Sequence, residues 1–181
     1  MIKDYKSEKT EKWTRGDIIK NVVVYAVNLL LLFGIYFFAV YSSSKNTGVS
    51  MSAFLSDYTN TLWFGVFLFM LISVMFVYLF YENKNFLRRS ENSEMIFLII
   101  EIALIICVVL GVYLDTIIRP LAVVSVLLLF LTNRRMAIFL GSVFNIMMFV
   151  FDAFTGYVTL LGAFSSFIVG FTSSVVIAFV T

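Results

Sequence analysis

The sequence predicts an all-α integral membrane protein with about six transmembrane helices in a bundle. Six long apolar stretches fill the chain from Ile18 to its last residue. The composition is 61% hydrophobic and only 13% charged, with a mean hydropathy of +1.00. A soluble domain has roughly 45–50% apolar and about 25% charged residues, so no water-facing surface can be built from this chain. The apolar runs are also continuous rather than alternating, which argues against barrel strands of about 9–11 alternating residues.

Residues 1–17 are polar and mixed in charge, and read as a cytoplasmic tail that cannot bury apolar surface. Trp13 suits the headgroup zone. Residues 18–181 form the transmembrane domain. Ile18–Tyr41 exceeds the 7–15 residues or so of a secretory h-region and reads as an uncleaved signal anchor. Residues 42–59 are rich in Ser, Thr, Asn and Gly, a loop by composition. Leu62–Tyr81 is the second span, 82–94 a charged loop, and Met95–Leu114 the third span. Asp115–Arg119 is a short turn before the chain's single proline. Pro120 suits a first helical turn, where the missing N–H costs little. Span four is then about Pro120–Leu131, followed by a turn at Asn133-Arg134-Arg135, span five at Met136–Phe151, a turn at 152–156 and span six at Tyr157–Val180. Spans four and five are short, which implies upright helices or a thinned bilayer.

Charge placement orients the spans. With the N-terminus inside, the inner side holds Lys3, Lys6, Lys9, Lys12, Arg15, Lys20, Lys84, Arg88, Arg89, Arg134 and Arg135, and the outer side only Lys45 and Arg119. Eleven against two is a strong positive-inside bias. Both termini are therefore expected in the cytoplasm, and the protein in the plasma membrane.

Function classes narrow by what is missing. There is no histidine, so Ser–His and Cys–His catalysis, histidine metal sites and histidine switching are all excluded. The one cysteine, Cys107, lies in an apolar run and reads as a small buried hydrophobe. No Walker, GxGxxG or GxSxG motif is present, nor a basic tract suited to nucleic acid. No cofactor and no metal are expected, and the chain is not expected to be an enzyme.

Few polar residues remain as candidates. Glu101 is the one ionisable side chain well inside a span, six residues past Met95. A carboxylate there is costly, so it faces the bundle or a water-filled cavity. It reads either as a proton, cation or substrate contact, or as a hydrogen-bonded glue between helices. Ser125, Asn145 and the inner arginines are its candidate partners, with Ser73 the other mid-span polar group. Asp115 and Arg119 are four apart across one outer turn, where a helical turn would make them face each other. With Asp152 they read as surface charges at outer helix ends. Gly162, Ser166, Gly170, Ser174 and Ala178 recur every fourth residue, a small-residue stripe that admits a neighbouring helix backbone of this chain or of another copy. Phe164, Phe167, Phe171 and Phe179 then point to lipid or looser packing. The loop residues Lys84, Arg88 and Arg89 read as a positive-inside surface or a docking point for a partner or anionic headgroups.

Two stretches carry a resemblance. YLFYENKNFLRRSENSEMIFLI and IIRPLAVVSVLLLFLTNRRMAIFLGSVFNIMM are similar to the membrane part of the seven-helix HD-domain phosphodiesterases, the bacterial PgpH-like cyclic-di-AMP hydrolases, over about Leu62 to Val176. The shared features are a short basic inner loop, a proline-started span at Pro120, and an Asn-Arg turn with an Arg-x-Ala-Ile helix start at Asn133, Arg134, Arg135, Ala137 and Ile138. AFSSFIVGFTSSVV resembles that family's small-residue helix. The family's large extracytoplasmic domain and metal-binding HD domain have no counterpart here, so no catalytic residue transfers. The resemblance implies a bare membrane module: a degenerate paralogue, a fragment or half of a split system. The second stretch, continued to Phe164, also resembles the rod-shape protein MreD, through its Arg-Pro-started span and an Asp-x-x-x-Gly turn at Asp152 and Gly156. That resemblance implies a non-catalytic scaffold of wall elongation.

The reading that follows is a non-catalytic multi-pass module that binds a membrane or cytoplasmic protein, with homo-oligomers an open option. The alternatives are the MreD-like scaffold and a small transporter or substrate-binding subunit using Glu101. The orientation has a direct check. Cysteines introduced in 42–59 should react with an impermeant thiol reagent added outside, and those in 82–94 should not; the opposite pattern refutes the topology.

Overall fold

The computed structural model describes residues 15–47, 58–82, 90–114, 116–156 and 158–180. Among these the chain is all-helical. The helices are α1 (Arg15–Thr47), α2 (Tyr58–Glu82), α3 (Ser90–Tyr113), α4 (Leu121–Leu131), α5 (Arg134–Thr155) and α6 (Leu160–Val180), with a 3-10 turn at Thr116–Ile118. Five are long and apolar enough to cross a membrane; α4 is not. Its 11 residues rise only about 16 Å at 1.5 Å each, half of a hydrocarbon core.

Helix ends depart from the sequence expectations, each for a local reason. α1 runs through the serine-rich stretch to Thr47, because Ser42 and Ser43 are buried against the bundle and packing overrides weak helix propensity. α3 starts at Ser90 rather than Met95, with Glu91 in its first turn, where an acid complements the positive end of the helix dipole. Pro120 is not the first helical residue. It sits ahead of α4 with φ −81° and ψ 54°, and Arg119 before it is non-helical, as the residue preceding a proline tends to be. Span four is therefore broken, a 3-10 turn and then a short helix. Span five is not short: α5 has 22 residues, since Arg134 and Arg135 join its first turn and the expected turn at 152–156 is helical up to Thr155. Gly156 ends it with φ 68°, the left-handed cap that glycine adopts without a Cβ clash.

Side-chain contacts give the helix directions. Tyr25 meets Ser73 and Tyr36 stacks on Phe64, so α1 and α2 are antiparallel. Tyr78 stacks on Phe139 while Phe64 packs edge-on against Phe151, so α2 and α5 are antiparallel too. Phe149 touches Phe167 and the Arg134 guanidinium lies 5.1 Å over the Phe179 ring, which sets α6 antiparallel to α5. One end of the bundle thus gathers Arg15, Lys20, Arg134 and Arg135. This is the basic end, and the opposite one is the far end.

α5 is the central helix. More than half of its residues are buried, a larger share than in α6, and it touches all five other helices. Phe144 and Phe151 are fully enclosed, with Phe64, Phe97 and Leu68 from α2 and α3. The outer helices turn the rest of their apolar surface outward, as Leu30, Phe69, Met70, Leu161 and Phe179 do. In lipid that exposure carries no penalty, and association rests on close packing and polar contacts.

α6 places its small-residue stripe unevenly. Gly170 and Ser174 are buried against α4 and α5, Gly162 and Ser166 are half-buried, and the side chain of Ala178 lies outside the described residues. Phe164, Phe171 and Phe179 are exposed. A Cβ added at Gly170 would run into the Asn145 side-chain carbonyl oxygen and come within 2.8 Å of Leu121 Cδ1. Gly170→Leu should therefore lower stability by about 1–3 kcal/mol through overpacking, read as a lower Tm in detergent. Phe171→Leu, on the exposed side, should change it far less; equal behaviour of the two variants would mean that this face is not the packing face.

Candidate functional site

The polar side chains that the sequence singles out, and those that bond to one another between helices, fall into three groups. The first lies in the basic half, on α1, α2 and α3. Asn21, Tyr25 and Asn28 follow one another on α1 at i, i+4 and i+7, one helical face. Asn21 donates to the Asp17 backbone carbonyl at 2.9 Å, and its Oδ1 accepts from Ser93 Oγ on α3 at 3.1 Å. Tyr25 shares a 2.8 Å hydrogen bond with Ser73 on α2. Asn28 donates to the Val24 carbonyl at 2.6 Å. Asn21, Asn28 and Ser93 are all buried.

Glu101 belongs to the same region. Because α3 begins at Ser90, Glu101 is not near a helix end, as its position after Met95 suggests. It lies about 16 Å along a helix rising 1.5 Å per residue, midway through its 24 residues. It is buried, and makes no hydrogen bond or ion pair among the described residues. The expected pairing with Ser125, Asn145 or the basic-end arginines is not formed.

The second group is in the middle of α4, α5 and α6. Asn145 donates to the Gly141 carbonyl at 2.7 Å and to Ser174 Oγ at 3.0 Å, and Ser174 Oγ donates onward to the Gly170 carbonyl at 2.8 Å. One amide thereby joins α5 to α6. Ser125 of α4 sits where a Cβ at Gly141 would fall, and the Asn145 carbonyl oxygen sits where a Cβ at Gly170 would fall. Each glycine makes room for a polar group of a neighbouring helix. Ser125 Oγ and Asn145 Oδ1 have no hydrogen-bond partner among the described residues.

The third group is an ion pair at the far end. Arg119 donates from Nη1 to Asp152 Oδ2 at 2.5 Å, with side chains 0% and 1% exposed. This corrects the expectation of surface charges at outer helix ends. Arg119 stands ahead of a helix too short to reach the far end, so its side chain is drawn inside the bundle. The last turn of the longer α5 brings Asp152 to it. Gly111 on α3 provides the space, since a Cβ there would overlap the guanidinium. The expected Asp115–Arg119 contact falls on Asp115, outside the described residues, as are Lys84, Arg88 and Arg89.

A cleft of about 310 Å³ opens beside this pair, between the 3-10 turn, the start of α4 and the flank of α6. Arg119, Thr116, Ser165, Ser166 and Ser173 give it polar walls, and Gly162 and Gly170 its depth. A larger groove of about 670 Å³ between α1 and α2 is lined by Phe33, Phe37, Phe69 and other mostly apolar groups. The two cavities share no lining residue, and neither is lined by Glu101 or Asn145. Sequence reasoning found Glu101, Ser125, Asn145 and Ser174, and missed Asn21, Tyr25, Asn28 and Ser93. Their signal was the i, i+4, i+7 spacing of three polar residues in an apolar run. Comparison with protein-family models, with curated proteins and with solved structures gives no match.

The ion pair makes a quantitative expectation. Removing one partner of a buried pair typically costs about 3–5 kcal/mol, because the other charge stays buried alone. Arg119→Met and Asp152→Leu should each lower the unfolding midpoint in detergent strongly, and the double variant should recover most of the loss. A double variant as unstable as the sum of the singles would show that the two residues are not coupled.

Proposed function

We propose that this chain is a non-catalytic multi-pass membrane module that works by binding a protein partner within the bilayer or at its cytoplasmic face. The observation that carries this reading is the use of its intramembrane polar groups. Asn21–Ser93, Tyr25–Ser73 and Asn145–Ser174 each join two different helices, and Arg119–Asp152 ties the break ahead of α4 to the last turn of α5. Transport sites instead gather polar groups about one midplane cavity, and hydrolytic sites need an activated nucleophile or metal-bound water. Among the described residues no group of three His, Cys, Asp or Glu could hold a metal. The resemblance to the membrane part of the HD-domain phosphodiesterases agrees with such a module, whose chemistry would reside in another chain or domain.

A second reading, a scaffold similar to MreD, has one observation of its own. The two motifs of that resemblance are the Arg119-Pro120 start and the Asp152-x-x-x-Gly156 turn. Their charged residues are the two members of the buried ion pair, and their small residues bound the same turns. That would make the two motifs one structural unit. Both readings predict a partner and no turnover.

Two measurements test the module reading. A photo-reactive residue placed at exposed positions of α6 such as Leu161, Val169 and Val176 should give a discrete protein adduct in native membranes, competed by untagged protein. Lipid adducts alone at every exposed face would count against it. The purified chain should also show no turnover of cyclic dinucleotides above a metal-only blank, and turnover would refute the non-catalytic reading.

A further inference from the structure

Glu101 is the one buried acid among the described residues that nothing in the fold neutralises. Asp152 has Arg119. Among the described residues Glu101 has neither a cation nor a hydrogen-bond donor, and its Oε1 is sealed from the surface. A bare carboxylate on a helix where Phe97, Ile100 and Leu104 are buried too would be far too costly in a bilayer interior. A structural acid would be expected to take a donor, and one amide, that of Asn28, stands at its depth.

The register of α1 and α3 puts it there. Both helices run from the basic end toward the far end, and the Ser93–Asn21 hydrogen bond places those two residues level. Asn28 is seven residues past Asn21 and Glu101 eight past Ser93. At about 1.5 Å per residue the two lie within about 2 Å of the same depth. Asn21, Tyr25 and Asn28 form a polar line up α1 from the basic end to that level. It stops there: the next buried residues of α1 are Leu32, Ile35 and Tyr36.

We propose that Glu101, with the polar face of α1 leading to it, is a reversible site for one monovalent cation, a proton or an alkali ion, entered from the basic end. The cation supplies the charge that the protein omits. Other titratable groups leave the site to it. On α3 itself, Glu94 lies two turns toward the basic end and Cys107 nearly two turns beyond. On α1, Tyr25 is engaged by Ser73. The Arg119 charge is taken by Asp152, while Arg134 and Arg135 of α5 stay at the basic end. This inference is independent of the partner-binding reading, since a module with or without a partner can carry the site.

Intramembrane carboxyls in the acid form react with hydrophobic carbodiimides, and the adduct can be located by mass spectrometry. The full chain in detergent or proteoliposomes should be labelled at Glu101, with Glu101→Gln unlabelled there. If the cation is a proton, labelling falls about tenfold for each pH unit beyond the midpoint, and sodium or potassium has no effect. If it is an alkali ion, sodium, lithium or potassium protects Glu101 at constant pH. Absence of a Glu101 adduct at any pH in folded protein, or labelling indifferent to both pH and cations, overturns the proposal. A Glu101→Gln chain that keeps its Tm separates loss of the site from loss of the fold.

Discussion

The far end of the bundle depends on a single electrostatic requirement: Arg119 and Asp152 are inside and must neutralise each other. Arg119 precedes a proline that cannot continue a helix from the preceding turn, so the chain breaks between α3 and α4. The guanidinium reaches across the break to the end of α5. Gly111 on α3 leaves room for it, and Gly156 closes α5 just past Asp152. Four elements meet at one charge pair: α3, the 3-10 turn, the start of α4 and the last turn of α5. Replacing a buried pair with apolar groups of similar volume can be neutral or stabilising. The pair's contribution is therefore chiefly to specify where the break sits.

The centre of the bundle solves a related problem differently. α5 carries the most buried surface and the polar residue Asn145 in its middle. Glycines at 141 and 170 let Ser125 and the Asn145 amide lie against neighbouring helix backbones. The same close approach lets Asn145 reach Ser174. Small residues and polar contacts are thus one device here: the glycine removes the Cβ, and the polar group of the adjoining helix takes its place. On the other side α5 is held by aromatic rings, with Phe64 between Tyr36 and Phe151. Such pairs contribute about 0.5–1.5 kcal/mol beyond their area.

Six helices were legible because each apolar run is long and bounded by charge. Their ends were not, since a helix continues wherever its backbone finds packing, and Ser42, Ser43 and Ser93 are buried polar residues rather than loop. Asn145 and Ser174 were legible as polar positions in apolar runs, but their meeting required the antiparallel register of α5 and α6. Arg119 and Asp152 were misread for a physical reason. A charge at the edge of an apolar run ordinarily meets water, and only the shortness of α4 pulls this one inside. Glu101 was legible as unusual, but its depth was not, because the start of α3 five residues earlier moves it from near one end to mid-helix.

Register is what these polar contacts add. Two apolar helices in lipid can slide past one another at little cost, since each side chain exchanges one apolar neighbour for another. A hydrogen bond between helices cannot slide by a turn without losing its partner. Such bonds average only about 0.6 kcal/mol in a measured membrane protein, so the three between neutral groups add little to stability. They and the ion pair fall at different depths, however. Asn21–Ser93 lies near the basic end, Tyr25–Ser73 a turn further along α1, Asn145–Ser174 near the middle and Arg119–Asp152 at the far end. A slip of α1, α2, α3, α5 or α6 by one turn breaks at least one of them, and a slip of α5 or α6 also moves Gly141 or Gly170 away from the polar group it admits. Weak bonds and missing side chains together select one alignment from many of nearly equal energy, and they do so at every level of the bundle. Glu101 is the exception. It lies on a helix whose alignment Asn21–Ser93 already sets, and its carboxylate contributes to no register.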